Sequence, residues 1–343
     1  MTDTDNQDLA DMLDGVMSSY RATSPVVTGP IEIDRVFWST LDELGLTRLT
    51  ASTEQGGSDA TWAEAALLLS TAGRHAVSLP VVENDLLAHW LLGLAGIGAA
   101  DDLIRTACVL DSSGTARNVP WANEVDRIVV AWQVEAGWLV EDVDRGAFEI
   151  DLDRNIAGEP RGDVRVNLDN LMGTSASVET DLGLTLLLRG ALANALLMVG
   201  AMERVLDLVV AHTTARTQFG RTLAKFQAVQ FMAADIATEG LLARAAADAA
   251  VVAAVEHGFD SDQAAFAIAA AKSCAGHAAT LVARNAHQAF GAIGFTSEHE
   301  LHMYTNRILA WRSECESVRH WDNVLTHAIA KAGSVGVWPL IVD

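Results

Sequence analysis

Between Asp181 and Ala332 the chain repeats one pattern: long runs in which apolar residues fall three or four apart. Only packed helices bury such runs, because side chains at that spacing share one face of a 3.6-residue turn. From Leu184 to Thr214, for example, Leu188, Leu192, Ala195, Val199, Met202, Leu206 and Val209 form an apolar stripe, with Glu203, Arg204 and Asp207 off it. Breaks near Gly220, Gly258 to Asp260 and Gly291 to Gly294 divide the region into four segments. Four long helices joined by short connections pack most simply as a bundle.

The rest of the chain reads differently. From Asp8 to about Ile104 the spacing is again helical, interrupted by Glu54-Gln55-Gly56-Gly57-Ser58, where paired glycines allow a positive-φ turn. From about Thr106 to Glu179 the apolar runs shorten to strand length: Cys108 to Leu110, Ile128 to Val134, Trp138 to Val140 and Val164 to Leu168. Trp132 and Trp138 are expected in the core of this β-region. The expected class is α+β, mainly α. The expected domains are 1–105, N-terminal and helical; 106–180, a reduced middle β-domain; and 181–343, a C-terminal four-helix bundle.

Composition narrows the partners. A net charge of −22 argues against nucleic acid, whose phosphates need clustered Lys and Arg. An anionic cofactor would need a local island of cations, and Arg216, Arg221 and Lys225 supply one. Cys108, Cys274 and Cys315 are widely spaced and odd in number, which suggests a reducing compartment and no zinc site. The acidic N-terminus lacks signal-peptide character, and the apolar run Leu86 to Ala100 is too short to span a bilayer; the expectation is cytoplasmic, with no membrane partner.

Arg216 closes a helix, where unsatisfied carbonyls favour a cation and a planar guanidinium can pair with phosphate. Arg216-Thr217-Gln218-Phe219-Gly220 with Gln227 resembles the R-x-Q-F-G signature of the acyl-CoA dehydrogenases. Gln288-Ala289-Phe290-Gly291-Ala292-Ile293-Gly294-Phe295 resembles their Q-x-x-G-G-x-G-[FY] element, with Ala292 replacing the second Gly. Leu44-Gly45-Leu46, Glu54 to Gly57, Gly73-Arg74 and Leu79-Pro80 resemble the family's N-terminal pattern. The resemblance implies the acyl-CoA dehydrogenase fold and FAD as cofactor. It also implies an arm reaching a neighbouring subunit's FAD: Arg216 and Gln218 toward the pyrophosphate, Phe219 by the flavin or adenine, and Gln288 with the Gly291-Ala292 backbone at the adenosine end.

Other parts of the pattern are missing. Cys108 to Gly114 stands where the family carries a T-E-P-x-x-G-S-like flavin loop, and no Trp-Ile-Thr-like strand is evident. Dehydrogenation needs a carboxylate base. Counted without gaps from Arg216 and from Gly291, the family's two base positions fall on Gly190 and Cys315. Glu314 and Glu316 flank Cys315, but one step along a helix turns a side chain by about 100°. His299 with His302 lacks a third metal ligand, and Cys315 with His320 is only roughly aligned as a nucleophile pair.

The chain thus resembles the smaller, base-lacking subunit of heteromeric bacterial acyl-CoA dehydrogenases, such as those acting on steroid side-chain thioesters. That implies a companion subunit in an α2β2 heterotetramer and an acyl-CoA substrate. Two alternatives stand beside it: a self-sufficient homo-oligomer using Glu314 or Glu316, and a non-enzymatic scaffold with this fold.

Overall fold

The computed structural model describes residues 3–24, 29–99, 101–171 and 175–342. The chain divides into two compact units: Met1–Thr28 with Ala66–Val77 and Ala191–Asp343, and Gly29–Ala65 with Ser78–Gly190.

The first unit is built on α5 (Leu182–Ala215), which is apolar almost all round from Ala191 to Val209 and is correspondingly buried. Helix α3 (Trp62–Arg74) crosses it at backbone contact. A Cβ on Gly73 would lie 2.1 Å from the Leu197 carbonyl oxygen, and one on Gly200 would lie 1.8 Å from that of Ser70. Both glycines are therefore required by the crossing. Arg74 then pairs with Asp207 at 2.6 Å, and Arg244 ties Glu203 at 2.7 Å to Ser70 at 3.0 Å.

Helices α6 (Gln227–His257) and α7 (Asp262–Phe290) run along one another. Ala243, Ala247, Ala250 and Ala254 form much of the buried face of α6, and side chains this small permit close approach. Ser261 caps α7 by accepting from the Ala264 amide at 3.1 Å. The long apolar stretches Leu182–Ala215 and Asp262–Phe295 could cross a membrane by length and composition, but 83% and 56% of their most apolar windows are buried in the chain; they are core helices.

The last of the four expected helical segments is not continuous. It forms α8 (Leu301–Arg312) and α9 (Val318–Val342), separated by a turn in which Cys315 and Glu316 have φ of 50° and 76°. Lys272, only 1% exposed, closes α8 by donating to the Trp311 carbonyl, so a buried cation meets the negative end of a helix. The Ser317 hydroxyl accepts from the His320 amide at 3.2 Å at the start of α9.

The second unit holds two sheets. Strands β1 (Arg105–Leu110), β3 (Arg127–Val134), β4 (Gly137–Asp144) and β7 (Ala176–Val178) lie in the order β1-β3-β4-β7, with β1 parallel to β3. Strands β2 (Thr115–Pro120), β5 (Glu149–Arg154) and β6 (Pro160–Arg165) form an antiparallel sheet in the order β2-β6-β5. Trp132 and Trp138 are buried as expected, and Val129, Ala131, Trp138 and Val140 share a core with Leu91, Leu92 and Leu186. Val82–His89 is a π-helix leading into α4 (Trp90–Ala95); α1 is Asp3–Thr23 and α2 is Arg35–Glu43.

The π-helix turns polar groups inward. Asp85 accepts from the Thr50 amide at 3.0 Å and the Ala51 amide at 3.1 Å. Burial nevertheless pushes its carboxyl up to about 6, against the pull of those bonds and of Arg189. Arg189 in turn donates to the Leu86 carbonyl at 2.7 Å and stacks over Trp90, 4.5 Å from the ring centre. His89 is buried with neither ring nitrogen hydrogen-bonded among the described residues, and burial, reinforced by Arg105 and Arg48, pushes it down to about 4.

Candidate functional site

Arg216 follows the last residue of α5, and its amide still donates to the His212 carbonyl at 2.9 Å. The chain then makes a two-residue hairpin in which Thr217 pairs with Thr222 and Gln218 with Arg221. Its turn residues, Phe219 and Gly220, have φ of 52° and 79°. Opposite, Gln288 lies in the last turn of α7, and Gly291 ends that helix at φ 65° with its amide donating to the His287 carbonyl. No side chain but glycine takes that conformation easily.

These two helix ends enclose a cleft of about 550 Å³. Arg216, Gln218, Gln288, Gly291 and Ala292 all line it, so five of the six expected cofactor contacts converge there. The sixth does not: Phe219 stands 90% exposed at the hairpin tip, edge-on to Phe226 at 6.2 Å. Arg221 lies over the Phe226 ring at 4.0 Å, apart from the cleft lining.

The donor set suits a phosphorylated dinucleotide. A guanidinium and two carboxamides supply N–H donors, and a Cβ built on Gly291 would meet nothing within 4 Å, so its backbone is open to a ligand. His212 and Phe290, which sequence reading did not select, also line the cleft. His212 was recoverable: it sits one helical turn before Arg216, on the same face.

The β1–β2 turn offers less. The Asp111 carboxylate accepts from the Ser113 amide at 2.8 Å, the Ser113 hydroxyl at 2.6 Å and the Thr115 amide at 3.1 Å, so these three donors are engaged within the loop.

The turn between α8 and α9 carries both candidate carboxylates. Glu316 is exposed and 3.8 Å from His320, whereas Glu314 is half-buried. Cys315 lies between them with its thiol accepting from the Asn194 amide at 3.4 Å. The left-handed backbone of Cys315 and Glu316 replaces the helical geometry assumed from sequence, so the 100° step of a regular helix does not describe these side chains. Burial pushes Lys272 down to about 8, against the pull of Cys315 and Glu314.

Comparison with known proteins shows what the chain is similar to. Residues 182–313 match the family model for the acyl-CoA dehydrogenase C-terminal domain. The acyl-CoA dehydrogenase IpdE2 of Mycolicibacterium smegmatis is 26% identical over 293 residues, covering 84% of this chain and 86% of that protein. A chain of the ChsE4-ChsE5 complex from Mycobacterium tuberculosis has the same fold, with a TM-score of 0.85 at 19% identity over 97% of this chain and 99% of that one. The chain is similar to the acyl-CoA dehydrogenases in sequence, most clearly over its C-terminal region, and shares their fold. The Tcur3481-Tcur3483 steroid ACAD shares the fold as well, with a TM-score of 0.80 at 19% identity over 96% of this chain and 98% of that one.

In this chain Gly190 lies on α5 and Cys315 in the α8–α9 turn, and neither has a side chain able to act as a carboxylate base. His299 precedes α8 instead of sharing its face with His302, whose Nδ1 is 2.8 Å from the His299 carbonyl oxygen. Among the described residues no group of three His, Cys, Asp or Glu side chains could hold a metal.

Proposed function

We propose that the chain is one subunit of an FAD-dependent acyl-CoA dehydrogenase and completes the FAD site of a companion subunit that supplies the catalytic base. The observation that carries this reading is the asymmetry of the sites. Donors of a kind that suits phosphate converge at the α5 and α7 ends, while Asp111 ties the β1–β2 loop to itself. Arg216 would pair with the pyrophosphate, Gln218 would assist it, and Gln288 with the Gly291-Ala292 backbone would hold the adenosine end. Bound flavin supplies the hydride acceptor for α,β-dehydrogenation of the thioester.

This chain's part is to bind and orient. Proton removal falls to the companion's carboxylate. The fold shared with a chain of the ChsE4-ChsE5 complex and with a steroid ACAD supports a heteromer and a bulky acyl-CoA as substrate, and we take its form to be α2β2. We take 1–105, 106–180 and 181–343 as its domains and the cytoplasm as its location.

Co-expression tests the reading. The chain alone should retain little FAD, and the co-purified heteromer about one per heterodimer, because neither half-site offsets the cost of ordering the ligand. Arg216→Ala should strip flavin from that heteromer, a charged hydrogen bond being worth about 1.5–3 kcal/mol, whereas Arg221→Ala should not. Full occupancy in the chain alone, or equal loss in the two variants, refutes it.

A further inference from the structure

His212 stands in the wall of the same cleft, one turn before Arg216. Its ring stacks on Phe290 with centroids 4.2 Å apart and planes 22° apart. Phe290 also meets His299 at 4.5 Å, and the two imidazoles are 6.5 Å apart. Neither nitrogen of His212 has a hydrogen-bond partner among the described residues, and its neighbours in the lining include the Arg216 guanidinium. An imidazole so placed has a donor to offer a ligand.

We propose that His212 is a proton-controlled ligand of the cleft: neutral and stacked on Phe290 when the cleft is empty near neutral pH, protonated when a phosphate diester lies against Arg216, so that acidification tightens the hold on a dinucleotide. This rests on reading the cleft as the pyrophosphate site of FAD. Burial, then His299 and then Arg216 hold the imidazole below its ordinary value of 6.5 in the free protein. A bound anion offsets the repulsion from Arg216 and adds attraction, so it raises the affinity of His212 for a proton. By reciprocity, the proton raises the affinity for the anion by the same factor. The stack tolerates the change, since an imidazolium over Phe290 gains a cation–π contact.

The charged and titratable groups facing His212 are Arg216 at the end of α5 and His299 in the segment before α8; α7 presents the neutral Phe290. His299 is itself held low by burial, His302 and Arg204, with Glu300 opposing, so the two imidazoles do not charge together readily. One proton, centred on His212, therefore couples to binding.

The probe is FAD, whose pyrophosphate diester keeps its charge across the window. Its binding to the co-purified heteromer, first stripped of flavin, would be measured by fluorescence from about pH 8 to about pH 5.5, at fixed ionic strength, for wild type, His212→Gln and Arg216→Ala. Wild type should tighten at least about threefold more than His212→Gln over that range. Nuclear magnetic resonance should show the His212 ring protons titrating at higher pH once FAD is added, a readout that needs no variant to fold. Equal slopes in wild type and His212→Gln, or a His212 titration that FAD does not move, overturns the proposal while leaving the cofactor site standing. FAD binding that ignores Arg216 at every pH overturns the cofactor site, and this inference with it.

Discussion

Replacing Phe219 by Asn should strengthen the arm and weaken its use. The Phe219-Gly220 turn has both central residues at positive φ, the type I′ geometry that favours Asn-Gly and fits the twist of a two-residue hairpin. An aromatic residue held in the left-handed region costs about 1–2 kcal/mol. What Phe219 recovers in the isolated chain is an edge contact with Phe226 at 6.2 Å, worth less than about 1 kcal/mol on so exposed a side chain. Asn should therefore stabilise the hairpin by about 0.5–1.5 kcal/mol, read as slower amide exchange at Leu223, whose N–H closes the hairpin onto the Arg216 carbonyl at 2.9 Å. A strained and 90% exposed aromatic is explained if a partner covers it. Burying that ring at an interface is worth about 2 kcal/mol, so the same substitution should weaken assembly with the companion subunit about 30-fold and lower flavin retention with it. Unchanged assembly and flavin content would refute the argument, and faster exchange at Leu223 would refute its stability half.

If the base comes from the companion, replacing Glu314 and Glu316 together by Gln should leave turnover of the reconstituted heteromer within about tenfold of wild type; a fall of 100-fold or more, with flavin content unchanged, would place the base in this chain. Gly200→Ala should destabilise the chain by at least about 1–3 kcal/mol in urea titrations, because its Cβ would lie 1.8 Å from the Ser70 carbonyl oxygen, whereas Gly240→Ala, in open helix, should stabilise it by up to about 1 kcal/mol. His89 and Asp85 should oppose one another in acid. As pH falls from about 6.5 to about 4, the unfolded chain takes the His89 proton first and stability drops; as it falls from about 6 to 3.8, the folded chain takes the Asp85 proton first and stability rises, each by roughly 3 kcal/mol. Urea titrations across this range should show Asp85→Asn losing more stability in acid than wild type and His89→Leu losing less; parallel curves would refute the pairing.

What was legible in the sequence follows from what side chains must do. Helix α5 announces itself because residues every three or four positions have to be buried, and the same pressure marks β3, whose Ile128 to Trp132 are all inside. Strand β5 escaped because its Leu152 is 65% exposed: pairing with β6 holds it through backbone bonds, which leave no apolar signature. The α8–α9 break escaped for a related reason. Ser313 to Ser317 contains neither Gly nor Pro, and the turn is set by tertiary groups, Lys272 drawing the Trp311 carbonyl and the Trp321 indole donating to the Cys315 carbonyl at 3.0 Å. Five residues that meet in the cleft were readable because they stand in two segments that resemble motifs of the acyl-CoA dehydrogenases. His212 and Phe290 are placed by a stack between separate helices, and only folding brings them together. The buried pair Asp85 and Arg189 shows the same limit, for 104 positions separate two charges whose burial each depends on the other. Sequence thus reveals the parts of this molecule held by local periodicity and those that carry a recognisable motif, while polar groups buried against distant partners become visible only once the core exists.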